Sequence, residues 1–367
     1  MRTQVSHAVR DPGAGRAAGG VLLGSRRVKT LLARFLLLAI SLGFVVLVLE
    51  IALRVLVGPP VVFVYPQESY VHDAEMGHRL VPGDAAFTHE EPVRVNAWGM
   101  RGPETPAQAP PGTRRVLALG DSQTFGNGVA EDETWPSLLE ARLEETAPGV
   151  GWQVLNAGVS GTETWQHAIW LDRLLGRVEV DAVVLGFYVN AVMPRSATPE
   201  AVGISNTWTK RVGYVAKRSA FFTFAWQSWQ RLRAPEGAGD HELGVLRGEG
   251  GPGVAEGWAE VERSLAEMKA RCDAEGIAFV IVVIPRRDQV TGAEPGRAYQ
   301  ARVVEIAAGL GIPVVDVLPA LEIAWARAPG SLFIPWDGHN TGAANEVVVD
   351  AVASRLAESL GAPTPTP

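Results

Sequence analysis

The chain is short of several things, and each shortage removes a class of function. It has one cysteine, Cys272, so no intrachain disulfide can form. Cys272 sits in a helical context, Met268-Lys269-Ala270-Arg271-Cys272, and reads as a small buried filler. No Cys/His cluster has the spacing of a metal site, so no metal is expected. No Gly-x-Gly-x-x-Gly and no Lys-Ser/Thr loop is present to cradle phosphates, so no nucleotide cofactor is expected either. Beyond the N-terminus the chain as a whole lacks a net positive balance. The first 34 residues hold seven Lys or Arg against one acid, Asp11, whereas the whole chain is −7. The body is therefore acidic, which argues against nucleic acid.

What the chain does have is one long apolar run, Phe35 to Leu49. At about 1.5 Å per residue it covers roughly 22 Å, and extension to Val57 gives enough length for a ~30 Å hydrocarbon core. The extension includes Glu50 and Arg54, four apart on one helix face and able to pair near the interface. The preceding basic cluster predicts a cytoplasmic N-terminus. We therefore expect a cytoplasmic, disordered tail over 1–30 and a transmembrane signal anchor over 31–57. The rival reading is a cleaved signal peptide, though no small-x-small site follows the run. The anchor reading places the rest of the chain on the outer side of a bacterial inner membrane, facing the periplasm or exterior. Oligomeric state is not legible.

Residues 58–113 hold many prolines and short strand-like pieces, Val61-Val62-Phe63-Val64 and Val93-Arg94-Val95, and read as a connector packed on the main domain. From Arg114 apolar strands and amphipathic helices alternate. Strands are expected at 115–119, 152–155, 182–185, 277–284 and 312–317. Helices are expected at 135–145, 163–175, 256–275, 297–310 and 341–360. That order implies an α/β domain over 114–361 with a parallel sheet covered on both faces. Residues 192–254 interrupt the rhythm as an insertion, aromatic at 221–229 and Gly-rich, hence flexible, from Pro235 to Gly253. A lid, an acyl-group pocket and a membrane-contacting helix all suit it, as does simple packing on the body.

Ligands of open parallel sheets bind beyond the carboxyl ends of the strands. The segments found there are Gly120-Asp121-Ser122, Asn156-Ala157-Gly158-Val159-Ser160-Gly161 and Gly186-Phe187-Tyr188-Val189-Asn190, with Asp337-Gly338-His339 just before the last helix. Their residue types suit acyl transfer. A serine hydroxyl needs a base to become a nucleophile, and histidine titrates in the useful range. Asp337 can orient the imidazole of His339 and stabilise its cation. The backbone N–H groups of Ser122 and Gly161 and the amide of Asn190 can serve as donors to an oxyanion.

These four segments resemble the characteristic blocks of the SGNH/GDSL hydrolases over roughly residues 114–361. The pieces Asp73-Ala74-Glu75-Met76-Gly77 and Asn96-Ala97-Trp98-Gly99-Met100-Arg101-Gly102, with the Glu50 and Arg54 pair, resemble membrane-anchored bacterial members. The resemblance implies a three-layer α/β/α sandwich, with a flavodoxin-like parallel five-stranded sheet. It also implies ester hydrolysis or acyl transfer. Ser122 would be nucleophile and first oxyanion donor, Gly161 and Asn190 the other donors, and Asp337 and His339 the rest of the triad. Two blocks depart from the usual pattern: Asn190 is followed by Ala191 rather than Asp, and the last block is Asp-x-His rather than Asp-x-x-His. Exported carbohydrate acetyl esterases and acetyltransferases of the family can use the shorter spacing. The expected activity is therefore a serine esterase acting on an acylated glycan or lipid. An O-acyltransferase of the same fold and a non-catalytic envelope-binding or assembly module are the alternatives.

Overall fold

A computed structural model describes residues 19–197, 208–233 and 240–361. The chain divides into two units, residues 1–56 and 57–367. The first is a helix, α1 (Gly19–Leu56), which begins inside the stretch expected to be disordered. Residues 1–18 of that expected tail lie outside the described residues. Within α1, Arg27–Leu56 is 30 residues long, long and apolar enough to cross a membrane. Near its end Arg54 Nε donates to Glu50 Oε1 at 2.6 Å.

The second unit opens with two antiparallel hairpins, β1 (Tyr70–Asp73) with β2 (Gly77–Leu80) and β3 (Ala85–Thr88) with β4 (Glu91–Arg94). The strand-like piece Val61–Val64 is not a strand: Val64 N donates to the His89 carbonyl at 2.8 Å, but no ladder continues along it. The turn residues explain the hairpin region. Asp73 Oδ1 accepts from the N–H groups of Glu75 and Met76, and Asn96 Oδ1 from those of Trp98 and Met100. Both are Asx-type turns, in which a short side chain replaces a backbone acceptor. The region is fastened to the body by charge and burial. Arg173 donates to both oxygens of Asp73 at 2.7 and 2.9 Å, and Met76, Leu80 and Met100 are fully buried.

The body contains β5 (Thr113–Gly120), α2 (Ser122–Phe125), α3 (Trp135–Thr146), β6 (Gly151–Gly158), α4 (Thr164–Leu175) and β7 (Ala182–Phe187). Next come α5 (Trp208–Ala216), α6 (Ala220–Arg233), α7 (Asp240–Arg247), α8 (Pro252–Glu275) and β8 (Ala278–Val283). It ends with α9 (Arg287–Val290), α10 (Ala298–Leu310), β9 (Val314–Asp316), α11 (Leu318–Arg327) and α12 (Gly342–Ser359). The five-stranded sheet is wholly parallel in the order β6-β5-β7-β8-β9. That is the flavodoxin-like arrangement, with its switch point between β5 and β7.

Side chains alternate across this sheet as the pleat requires. Leu117, Leu119, Val183, Leu185, Ile281 and Val283 enter one core with residues of α4, α8 and α10. Val116, Ala118, Val184, Val280 and Val282 enter the other with residues of α3, α11 and α12. Cys272 is buried in the first core, where burial pushes its thiol up to about 12, out of the reactive range.

The expected insertion is largely helical. Its Gly-rich end is not a flexible loop where it is described: α7 spans Asp240–Arg247 and buries Val245 and Leu246 in the first core. Apolar burial outweighs the local glycine content there. Residues 235–239 of that stretch lie outside the described residues. Helix α11, not expected from the sequence, follows β9 with Pro319 in its first turn.

Candidate active site

Three strand ends lie in register at the switch point: Gly120 on β5 pairs with Gly158 on β6 and Gly186 on β7. The loops that follow therefore share one edge of the sheet. The glycines also let α2 sit directly on the sheet. A Cβ on Gly158 would lie 2.2 Å from the Phe125 backbone nitrogen, and one on Gly120 would lie 2.2 Å from Thr124 Oγ1. Ser122 opens α2, and the preceding Asp121 caps it by accepting from Gln123 N at 2.9 Å.

His339 reaches Ser122 from the opposite end of the chain. The loop before α12 is closed by a bridge between Phe333 and Asn340 and by Ile334 N donating to His339 O at 2.8 Å. Asn340 N donates to Gln123 Oε1 at 3.3 Å, which ties this loop to α2. His339 Nε2 then lies 2.8 Å from Ser122 Oγ.

The short Asp-x-His spacing is accommodated by the loop's own backbone. Gly338 has φ +93°, a conformation that favours glycine. The turn it permits brings Asp337 Oδ1 to both the His339 backbone N–H, at 3.2 Å, and His339 Nδ1. A proton on Nδ1 shared with Asp337 leaves Nε2 as the acceptor facing the serine hydroxyl. Burial opposes charge on His339, but the hydrogen bond and charge of Asp337 outweigh it and raise the histidine pKa above 6.5. Burial likewise pushes the Asp337 carboxyl up, and the hydrogen bond and charge of His339, with His89, hold it below 3.8.

Gly161 and Asn190 sit on the same edge. Ser160 Oγ donates to Asn127 Oδ1 at 2.8 Å, and Asn127 N donates to the Ser122 carbonyl at 3.1 Å, so the Ser160–Gly161 peptide lies beside the end of α2. Gly161 has φ +73°. Among the described residues, the N–H groups of Ser122 and Gly161 have no acceptor. Asn190 follows β7 in a short 3₁₀ turn, Val189–Val192, and its side chain faces the Asp121 carboxyl. Ala191, standing where the family usually has Asp, is held through its backbone: its carbonyl accepts from Thr164 Oγ1 at 2.7 Å. Buried carboxyls surround the site. Burial raises Asp121 to about 6, Glu68 to about 7 and Glu163 to about 9, so at neutral pH Glu163 is held protonated while Asp121 keeps most of its charge.

Three residues of the hairpin region, not singled out from the sequence as site residues, also converge here. Arg101 is buried and donates to the carbonyls of Phe125, Gly126 and Val129 at 2.7–2.8 Å. His78 Nε2 lies 2.9 Å from the Ser160 carbonyl. His89, at φ +54°, is held by Gln67, which accepts from its N–H at 3.0 Å and donates to its carbonyl at 2.9 Å. His89 Nε2 stands 3.6 Å from Asp337 Oδ2, the carboxylate oxygen that His339 does not use. Their separation from Ser122 in sequence hid them. Only Arg101 carried a signal, its place in the second upstream motif.

Residues 118–347, more than half of the chain, match the GDSL-like Lipase/Acylhydrolase family. The chain belongs to that family. It is an ester-bond hydrolase, with the SGNH hydrolase fold. A search of curated proteins returns no match. Among solved structures the chain is similar to one described as TesA, at 19% identity over 67% of this chain and 99% of that one, with a TM-score of 0.42. It is also similar to AlinE4, an SGNH-hydrolase family esterase, at 19% identity over 69% and 99%, with a TM-score of 0.36. A third is the psychrotrophic esterase EstA from Pseudoalteromonas sp., at 15% identity over 68% and 99%, with a TM-score of 0.40.

Proposed function

We propose that this GDSL family member is a membrane-anchored serine esterase that removes short O-acyl groups, such as O-acetyl groups on extracytoplasmic glycans, using a Ser122–His339–Asp337 triad. The observation that carries the triad is the relay of contacts from Ser122 Oγ to His339 Nε2 and from His339 Nδ1 to Asp337. His339 takes the serine proton as Oγ attacks the ester carbonyl. The tetrahedral oxyanion is held by the N–H groups of Ser122 and Gly161 and the amide of Asn190. Collapse expels the alcohol, which receives the proton from His339, and leaves an acyl-serine. Water activated by the same imidazole then releases the acid and restores Ser122.

The substrate proposal rests on the cavity beside Asp337. Its volume is about 210 Å³, and its lining includes Phe63, Trp226 and Trp336 with Gln227, Gln230 and Lys217. Aromatic faces beside amide donors suit a sugar ring better than a long acyl chain, which needs a continuous apolar channel. The basic residues before the apolar run Phe35 to Leu49 favour the body facing the outside of the inner membrane.

A fluorophosphonate probe on the full chain tests the nucleophile. Labelling of the wild type and none of Ser122→Ala is expected; equal labelling of the two, or none of a folded wild type, refutes it. Rates on p-nitrophenyl esters and acetylated sugars test the substrate. They should fall steeply beyond the shortest acyl chains; a rise toward long chains overturns the glycan reading while leaving the triad intact.

A further inference from the structure

Helices α5 and α6 wear their apolar stripes on the outside. On α5, Trp208, Val212 and Val215 recur at i, i+4 and i+7, and they are 75%, 60% and 65% exposed. On α6, Phe222 and Trp229 lie at i and i+7 on one face and are also exposed, whereas Trp226 lines the cavity beside Asp337. An amphipathic helix on a protein surface ordinarily turns such a stripe inward. The same span, 208–233, holds six Lys or Arg and no Asp or Glu, in a chain of net charge −7. Arg233 continues the α6 stripe, with its guanidinium 4.3 Å from the Trp229 ring. Among the described residues, Lys210, Arg211, Arg231 and Arg233 make no ion pair.

We infer that the outer face of α5 and α6 lies on an anionic phospholipid bilayer, as a second membrane contact in addition to α1. Tryptophan, phenylalanine and arginine are the side chains that settle at the headgroup level. Unopposed cations are drawn to the negative surface of anionic lipids, each contributing about 1 kcal/mol. Charge complementarity selects a bilayer over a second copy of this chain, whose same face would repel it. The body also starts at Val57, directly after a helix able to span a membrane, so the bilayer is within reach.

The test uses the full chain in nanodiscs. All 11 tryptophans lie beyond residue 57, so α1 contributes no tryptophan signal. Lipids brominated on their acyl chains should quench tryptophan fluorescence in discs containing phosphatidylglycerol and much less in pure phosphatidylcholine. Trp208→Phe/Trp229→Phe should remove most of that quenching. Reversing Lys210, Arg211, Arg231 and Arg233 to Glu should lower the quenched fraction about tenfold or more, as should high salt. Circular dichroism checks that the variants fold. Three results would overturn the inference. One is absence of quenching in anionic discs. Another is quenching unchanged in the Trp208→Phe/Trp229→Phe chain. The third is shielding from aqueous iodide that follows the number of chains per disc rather than lipid charge, which would mean a second copy covers the face.

Discussion

Replacing Arg101 with Met should loosen the support of Ser122, the proposed nucleophile, without touching it. Burial lowers the Arg101 pKa to about 10, so the guanidinium stays charged at neutral pH. It donates at 2.8, 2.7 and 2.8 Å to the carbonyls of Phe125, Gly126 and Val129, and it lies 5.1 Å from the Phe125 ring centre. Methionine keeps much of the volume and removes every donor. Hydrogen bonds to a charged group contribute about 1.5–3 kcal/mol each, so three give roughly 4.5–9 kcal/mol gross. Releasing a buried cation returns several kcal/mol of that, leaving a net loss of about 3 kcal/mol. At roughly 2–4 °C per kcal/mol, the apparent Tm should fall by about 6–12 °C. Because the three carbonyls belong to the end of α2 and the loop after it, Ser122 should also lose its alignment, and an error near 1 Å can cost about 100-fold in rate. Differential scanning fluorimetry and p-nitrophenyl acetate hydrolysis, normalised to Ser122 labelled by fluorophosphonate, read the two effects. Arg101→Lys should rescue little, since one ammonium cannot span three carbonyls. A Tm within about 2 °C of wild type with kcat unchanged would refute the reasoning.

Gly158→Ala should abolish activity or solubility, because its Cβ would sit 2.2 Å from a backbone nitrogen of α2 that cannot move aside cheaply; wild-type turnover in a soluble variant would contradict this. Activity needs neutral His339, whose pKa is raised, so kcat/KM should climb with pH through a value above the ordinary 6.5. Asp337→Asn removes the group that raises it, so the acidic limb should move to lower pH as the rate falls by about 100-fold or more. A limb that stays put in the variant's pH–rate profile would count against the pairing. His78→Ala should lower kcat by about tenfold with little change in KM. The carbonyl and N–H of a trans peptide point in opposite directions, so the His78 contact on Ser160 aims the Gly161 N–H away from it. Steady-state kinetics in which KM rises and kcat holds would show that His78 serves binding instead.

Much of the body was legible because burial on both faces leaves a plain record. Strands such as Val280-Ile281-Val282 are apolar at every position, and helices such as α4 repeat their apolar residues at helical spacing. Ser122 was legible because a serine just after a buried strand is a local pattern. The short helices were not, since α2 and α9 are held by caps and contacts rather than by periodicity. Helix α7 was misjudged for a related reason: its Gly-rich surroundings conceal Val245 and Leu246, which only the fold buries.

The sequence alone determined the parallel α/β class, the apolar N-terminal helix and the serine, histidine and aspartate with chemistry suited to an ester. Those depend on residue type, order and period, which are properties of a line. Only the tertiary structure decided that Gly338 lets a short Asp-x-His turn close on its own ring, and that Arg101, His78 and His89 stand behind the site. It also decided that the aromatic stripes of α5 and α6 face outward. The first depends on a backbone angle that residue type does not state, and the others on segments far apart in sequence meeting, or failing to meet, in space.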